Sequence, residues 1–155
     1  MSEAITDMKV EDVIESFDFL DDWEERYRYI IDLGKRLPEM SESEKTRETK
    51  VEGCVSQVWL VAHDDPRQPG RVIFVADSDA HIVRGLVAIL LIIYSGKTAE
   101  EILEIDARGL LGQLDLDGHL SPSRSNGLYS MVRRIRELAV SRASGGGTGA
   151  ARAGA

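Results

Sequence analysis

The sequence has a single cysteine in its 155 residues, Cys54, so no disulfide can form within the chain. That suits a reducing compartment and puts all thiol chemistry on one side chain. Metal-binding spacings are also missing: there is no Cys-x-x-Cys or His-x-x-Glu-His, and His63, His81 and His119 do not form a ligand set with Cys54. The longest apolar run, Gly85 to Tyr94, falls well short of the ~20 residues needed to cross a bilayer as a helix. Positive charge is short too. The formal net charge is −8 and the pI about 4.9, without the basic balance that accompanies phosphate-backbone binding. The start, Met1 to Asp7, is acidic and has neither the basic patch nor the apolar stretch of a secretory signal. These absences predict a cytoplasmic protein with no nucleic-acid or membrane partner.

The composition that is present fits a soluble globule, with 43% hydrophobic and 30% charged residues. The charge is unevenly placed. Residues 1–53 carry 16 Asp/Glu against 8 Lys/Arg, whereas residues 54–155 carry 11 of each. The whole excess of negative charge therefore precedes the cysteine. It serves as a solvated, solubilising face or, on a sharper reading, as a docking surface for a basic partner.

Hydrophobic periodicity predicts a helix over Met8 to Leu20 and a second from Trp23, with Asp21 or Asp22 as N-cap and an end forced by Pro38. Met40 to Thr49 has no apolar period and reads as a loop, and Lys50 to Gly53 reads as a possible short strand. Gln57 to His63 and Arg71 to Ala76 are rich in β-formers, and the loop chemistry of 64–70 suits an antiparallel hairpin between them. Ser78 or Asp79 is the expected cap of a long apolar helix through Tyr94, the central core helix. Thr98-x-x-Glu101 is a capping box for a short helix, Leu110 to Leu114 a possible further one, and Gly127 to Val140 the last, with Ser125 as its cap. The order predicts an α+β fold with a small antiparallel sheet of two or three strands and helices packed on it. The expected organisation is a single domain over 1–140 and a Gly/Ala-rich disordered tail over 141–155.

Cys54 is the one soft nucleophile. It follows Gly53, which permits a sharp bend, and is flanked by Ser56 and Gln57 rather than set in an apolar run. Such a thiol can be offered to another protein, although a lone cysteine also serves as a small core hydrophobe. Asp77-Ser78-Asp79 could hold a divalent cation, but at a helix start capping is the favoured reading. Arg124 is the fixed positive charge in the Ser/Pro-rich stretch before the last helix. The glycines of 145–149 have neither a preceding strand nor a following helix, so they are not a phosphate loop.

Several blocks taken together resemble the SufE family: Gly53-Cys54-x-Ser56-Gln57-Val58-Trp59, Asp77-Ser78-Asp79-Ala80-x-Ile82-Val83-x-Gly85-Leu86, and His119-Leu120-x-Pro122-Ser123-Arg124-Ser125-x-Gly127-Leu128. Trp23-Glu24-Glu25-Arg26-Tyr27-x-Tyr29-Ile30-Ile31 and Arg36-Leu37-Pro38 are similar to that family's amino-terminal helix and turn. Position 55 departs, with Val where the family often has Gln. The resemblance implies the fold shared with IscU-like scaffolds and a sulfur acceptor whose persulfide-forming residue is Cys54. It implies a PLP-dependent cysteine desulfurase of the SufS type as donor and the SufBCD scaffold as recipient in iron–sulfur cluster assembly. On that reading the chain binds no cofactor itself, PLP belonging to the desulfurase, and it activates that enzyme without turnover of its own, as a monomer or weak homodimer. In the family the cysteine loop tucks its side chain inward and swings out on docking, and Gln57, Asp79, His119 and Arg124 are the candidates for holding or releasing it. Two other readings remain: a cluster scaffold, for which one cysteine is too few ligands, and a non-catalytic adaptor that binds a desulfurase.

Overall fold

The computed structural model describes residues 5–116 and 118–145. A short 3-10 turn, Ile5–Asp7, leads into α1 (Val10–Phe19) and α2 (Trp23–Gly34). The Asp22 carboxylate accepts from the Glu25 amide at 2.8 Å, the expected N-cap of α2. Residues 40–49, expected to be pure loop, contain a 3-10 turn at Glu42–Glu44. The predicted strand at 50–53 shrinks to one bridge, Lys50 to Trp59.

Strands β1 (Val58–Asp64) and β2 (Arg71–Ser78) form the expected hairpin, paired antiparallel from Val58↔Ser78 to Asp64↔Val72. Along β2, Val72, Phe74, Ala76 and Ser78 are buried and the alternate residues are not, as the two-residue period of a one-sided sheet requires. Helix α3 (His81–Tyr94) packs on that face, with every residue from Gly85 to Tyr94 buried. Its N-cap is Ala80, with no side-chain cap, so neither Ser78 nor Asp79 caps it as predicted. Ser78 Oγ instead accepts from the Ala80 amide at 3.3 Å, and Asp79 is engaged elsewhere.

A third strand, β3 (Lys97–Thr98), adds to the far edge of β2, giving the sheet order β1-β2-β3. Two residues carry too little pattern to be read as a strand. Thr98 and Glu101 form the predicted capping box of α4 (Ala99–Glu104). Helix α5 spans Ala107–Gln113, earlier than predicted because Asp106 caps it through the Gly109 amide at 3.0 Å.

The last helix, α6, runs from Pro122 to Gly145, longer at both ends than the expected 127–140. Pro122 at its first position wastes no helical N–H, and Ser121 rather than Ser125 caps it, accepting from the Arg124 amide at 3.2 Å. At the other end Arg142 donates to the Ala62 carbonyl at 2.9 Å and pairs with Asp64, tying the final turns to β1. The 141 boundary drawn from composition thus falls inside α6, and residues 146–155 of the expected tail lie outside the described residues. The fold is α+β, a small antiparallel sheet with helices packed on it. No helix among the described residues is long and apolar enough to cross a membrane.

Candidate functional site

The turn carrying Cys54 leaves the sheet at its β1 end. Its base is pinched twice. The Val51 amide donates to the Val58 carbonyl at 2.8 Å. On the other flank the Asp79 amide donates to the Gln57 carbonyl at 3.2 Å, and Asp79 Oδ1 accepts from the Gln57 amide at 3.1 Å. Because Val58 pairs with Ser78, Gln57 and Asp79 occupy the next rung of the ladder, where a carboxylate replaces a strand carbonyl. Gln57 enters this clamp through its backbone.

Between those ties the chain must reverse. Gly53 does so at φ +89°, a left-handed conformation that other residues rarely adopt. A Cβ there would stand 2.4 Å from Ser130 Oγ, so glycine also lets the turn lie against α6. Cys54 follows, half-buried, its Sγ 3.5 Å from the Gly127 carbonyl to which the thiol donates. It lines a crevice of about 120 Å³ between α3 and α6, with Val83 and Leu86 on one wall and Arg124, Gly127 and Met131 on the other. The next residue, Val55, is 86% exposed. The thiol faces the crevice while its neighbour faces solvent.

Burial pushes the Cys54 thiol above its ordinary pKa, and no charged group among the described residues counters it. At neutral pH the resting side chain is the protonated thiol, a poor nucleophile protected from stray oxidants. Arg124 lines the same crevice, but its guanidinium has no carboxylate partner among the described residues and does not lower the thiol's pKa at rest.

His119 lies away from the thiol. Its ring stacks on Trp23 with centroids 3.9 Å apart, Nδ1 is 3.0 Å from the Asp115 carbonyl oxygen, and its own carbonyl accepts from the Tyr27 hydroxyl. It ties the connector before α6 to α2 and is not among the residues that line the crevice. Asp77 does not cap α3; its carboxylate is paired instead, 3.0 Å from Lys45 Nζ and 3.1 Å from Arg84 Nε. Among the described residues no group of three His, Cys, Asp or Glu is placed to hold a metal ion.

Sequence reasoning missed Ser130, Val83, Leu86 and Met131 as parts of the site. The last three were read as core, which they also are. Ser130 had a signal: with Gly127 it puts two small residues on the inward side of a helix otherwise lined by Leu128, Met131 and Ile135, which marks close approach by another chain segment.

Residues 11–139 match the family described as SufE, Fe-S metabolism associated domain. The chain belongs to the SufE family. An uncharacterized SufE-like protein of Rhizobium etli is 57% identical over 137 residues, 87% of this chain and 92% of the relative. Another, of Rhizobium meliloti, is 56% identical over 135 residues, 86% of this chain and 96% of the relative. The solution structure of a hypothetical protein from Thermus thermophilus superposes with a TM-score of 0.71 over 87% of this chain and 96% of that one. At 18% identity that likeness speaks to the fold alone. SufE membership gives the chain the family's general role as a sulfur acceptor associated with the Suf pathway of iron–sulfur metabolism.

Proposed function

We propose that Cys54 accepts the outer sulfur of a cysteine persulfide on a SufS-type desulfurase in the cytoplasm, and that the chain then delivers this sulfur to the SufBCD scaffold. The observation that carries the reading is the half-buried thiol in its small crevice, set on a glycine turn beside an outward-facing Val55. A persulfide is readily lost to other thiols, so a carrier benefits from a sheltered sulfur that emerges only against its partner.

In the transfer, the Cys54 thiol loses its proton and its sulfur attacks the donor's outer sulfur. The donor's S–S bond breaks, a new S–S bond forms on Cys54, and the departing cysteine thiolate takes up a proton. Nothing is oxidised or reduced overall. Burial favours the protonated thiol at rest, and moving the turn outward relieves that burial before attack. The Gln57–Asp79 clamp holds the turn at rest. When it swings out, Arg124 is the cation placed to face the thiolate or the persulfide anion, with His119 fixing the approach to α6.

Incubation with the desulfurase, PLP and cysteine, followed by mass spectrometry, tests this. The wild type should gain one sulfur, Cys54→Ser should stay folded and gain none, and the scaffold should then remove the added sulfur. A folded, reduced wild type that gains nothing from any SufS-type donor would overturn the reading. Arg124→Gln should slow the transfer while leaving iodoacetamide trapping of the resting thiol unchanged.

A further inference from the structure

The other side of α6 carries a second, larger cavity of about 560 Å³, between that helix and the α4–α5 corner. It shares no lining residue with the cysteine crevice. At about 100° of rotation per residue, Arg124, Gly127 and Met131 fall on one side of α6, and Tyr129, Val132 and Arg136 on roughly the opposite one.

Tyr94, 0% exposed, contributes to this cavity, and its phenol oxygen has no hydrogen-bond partner among the described residues. A buried hydroxyl left unpaired is costly, so its retention calls for an acceptor. Burial raises the phenol's pKa, with the Arg136 charge pulling the other way and Asp106 reinforcing the rise, so it remains an O–H donor at neutral pH. Around it stand three arginines. The Arg108 guanidinium is held over the Tyr129 ring, 4.3 Å from its centroid, and Arg136 is oriented by donating Nη1 to the Leu103 carbonyl at 3.1 Å. Arg133 reaches in from an exposed position.

In a chain of net charge −8, none of these three has a carboxylate within ion-pair distance among the described residues. Asp106 and Glu137 line the same cavity, and Asp106 is occupied in capping α5. Ile105 and Val132 supply apolar wall. Oriented arginines, an orphan buried donor and an apolar wall in a volume of this size describe a ligand site.

We propose that this groove binds a small organic anion. Arg108, Arg133 and Arg136 hold its carboxylate or phosphate head, Tyr94 donates to that head directly or through one held water, and its flat apolar body lies against Val132 and Ile105. The site stands apart from sulfur transfer and does not rest on it.

Titration of the full chain with benzoate and with phenyl phosphate, followed by calorimetry and by amide NMR shifts, tests the proposal and distinguishes the two heads. Saturable one-site binding of at least one probe is expected, with shifts centred on residues 105–108 and 129–137. Arg136→Gln and Arg133→Gln should each weaken it about tenfold. Tyr94→Phe should weaken binding while the melting temperature holds or rises, because the deleted hydroxyl had no partner; a merely structural tyrosine would not give that split. Iodoacetamide trapping of Cys54 should not change in any of these variants. Absence of saturable binding by both probes, binding indifferent to Arg136→Gln and Tyr94→Phe, or shifts centred on Cys54 would each overturn it.

Discussion

Two glycine contacts in this molecule solve opposite problems. Where α2 crosses α3, a Cβ on Gly85 would lie 2.2 Å from the Ile30 carbonyl oxygen, and one on Gly34 would lie 2.7 Å from the Gly85 amide nitrogen. Backbone meets backbone, and neither side can yield. At the cysteine turn, a Cβ on Gly53 would meet Ser130 Oγ, the tip of a side chain that can rotate, while its φ of +89° lets the chain reverse. The first contact fixes the framework behind the crevice. The second holds the thiol against that framework by ties that can be released singly: one thiol hydrogen bond, one carboxylate acceptor and one amide of the same aspartate.

The contrast would break most visibly at Gly85. Gly85→Ala should cost about 3 kcal/mol or prevent folding, because two backbones must part to admit the methyl. Urea unfolding measures it, and near-normal stability would show that the crossing is softer than its geometry. Gly53→Ala should cost about 1–2 kcal/mol, the price of a left-handed alanine. It should also speed iodoacetamide trapping of Cys54, which Gly85→Ala in its folded fraction should not.

Asp77 and Asp79 sharpen the comparison because they stand two residues apart with different partners. Asp79→Ala removes the acceptor of the Gln57 amide and should cost about 1 kcal/mol while raising the Cys54 alkylation rate several-fold. Asp77→Asn should lower stability by up to about 1 kcal/mol, since its ion pairs to Lys45 and Arg84 are partly screened by solvent, with no change in alkylation. Equal alkylation of the two variants would remove the clamp from the account.

The smallest effect is on pH dependence. The folded thiol's pKa lies above the unfolded one, so its contribution to stability is fully present below the ordinary thiol range near ~8.5 and is lost as pH rises through the folded value. Unfolding midpoints should therefore fall slightly more on going alkaline for wild type than for Cys54→Ser.

The hairpin, α2 with its Asp22 cap, the Thr98–Glu101 box and the α3 core were legible because each is written in local spacing or in a cap within three residues. The ends of α6 were not. Its start depended on weighing Pro122 above Gly127, and its last turns are kept by Arg142 reaching Asp64 and Ala62, far away in the chain. Cys54 was legible as the single thiol on a glycine turn. His119 sits in the same block as Arg124, yet it stacks on Trp23 while Arg124 lines the thiol's crevice.

From the sequence alone come the α+β order, the acidic amino-terminal third, and a family motif centred on one cysteine, since composition, periodicity and short-range capping are all properties of neighbouring residues. Only the tertiary structure decides that the thiol is tucked between α3 and α6, that Asp79 spends its carboxylate on Gln57, and that three arginines gather around a buried phenol. Burial and charge pairing depend on which distant segments share a space, and no local pattern records that.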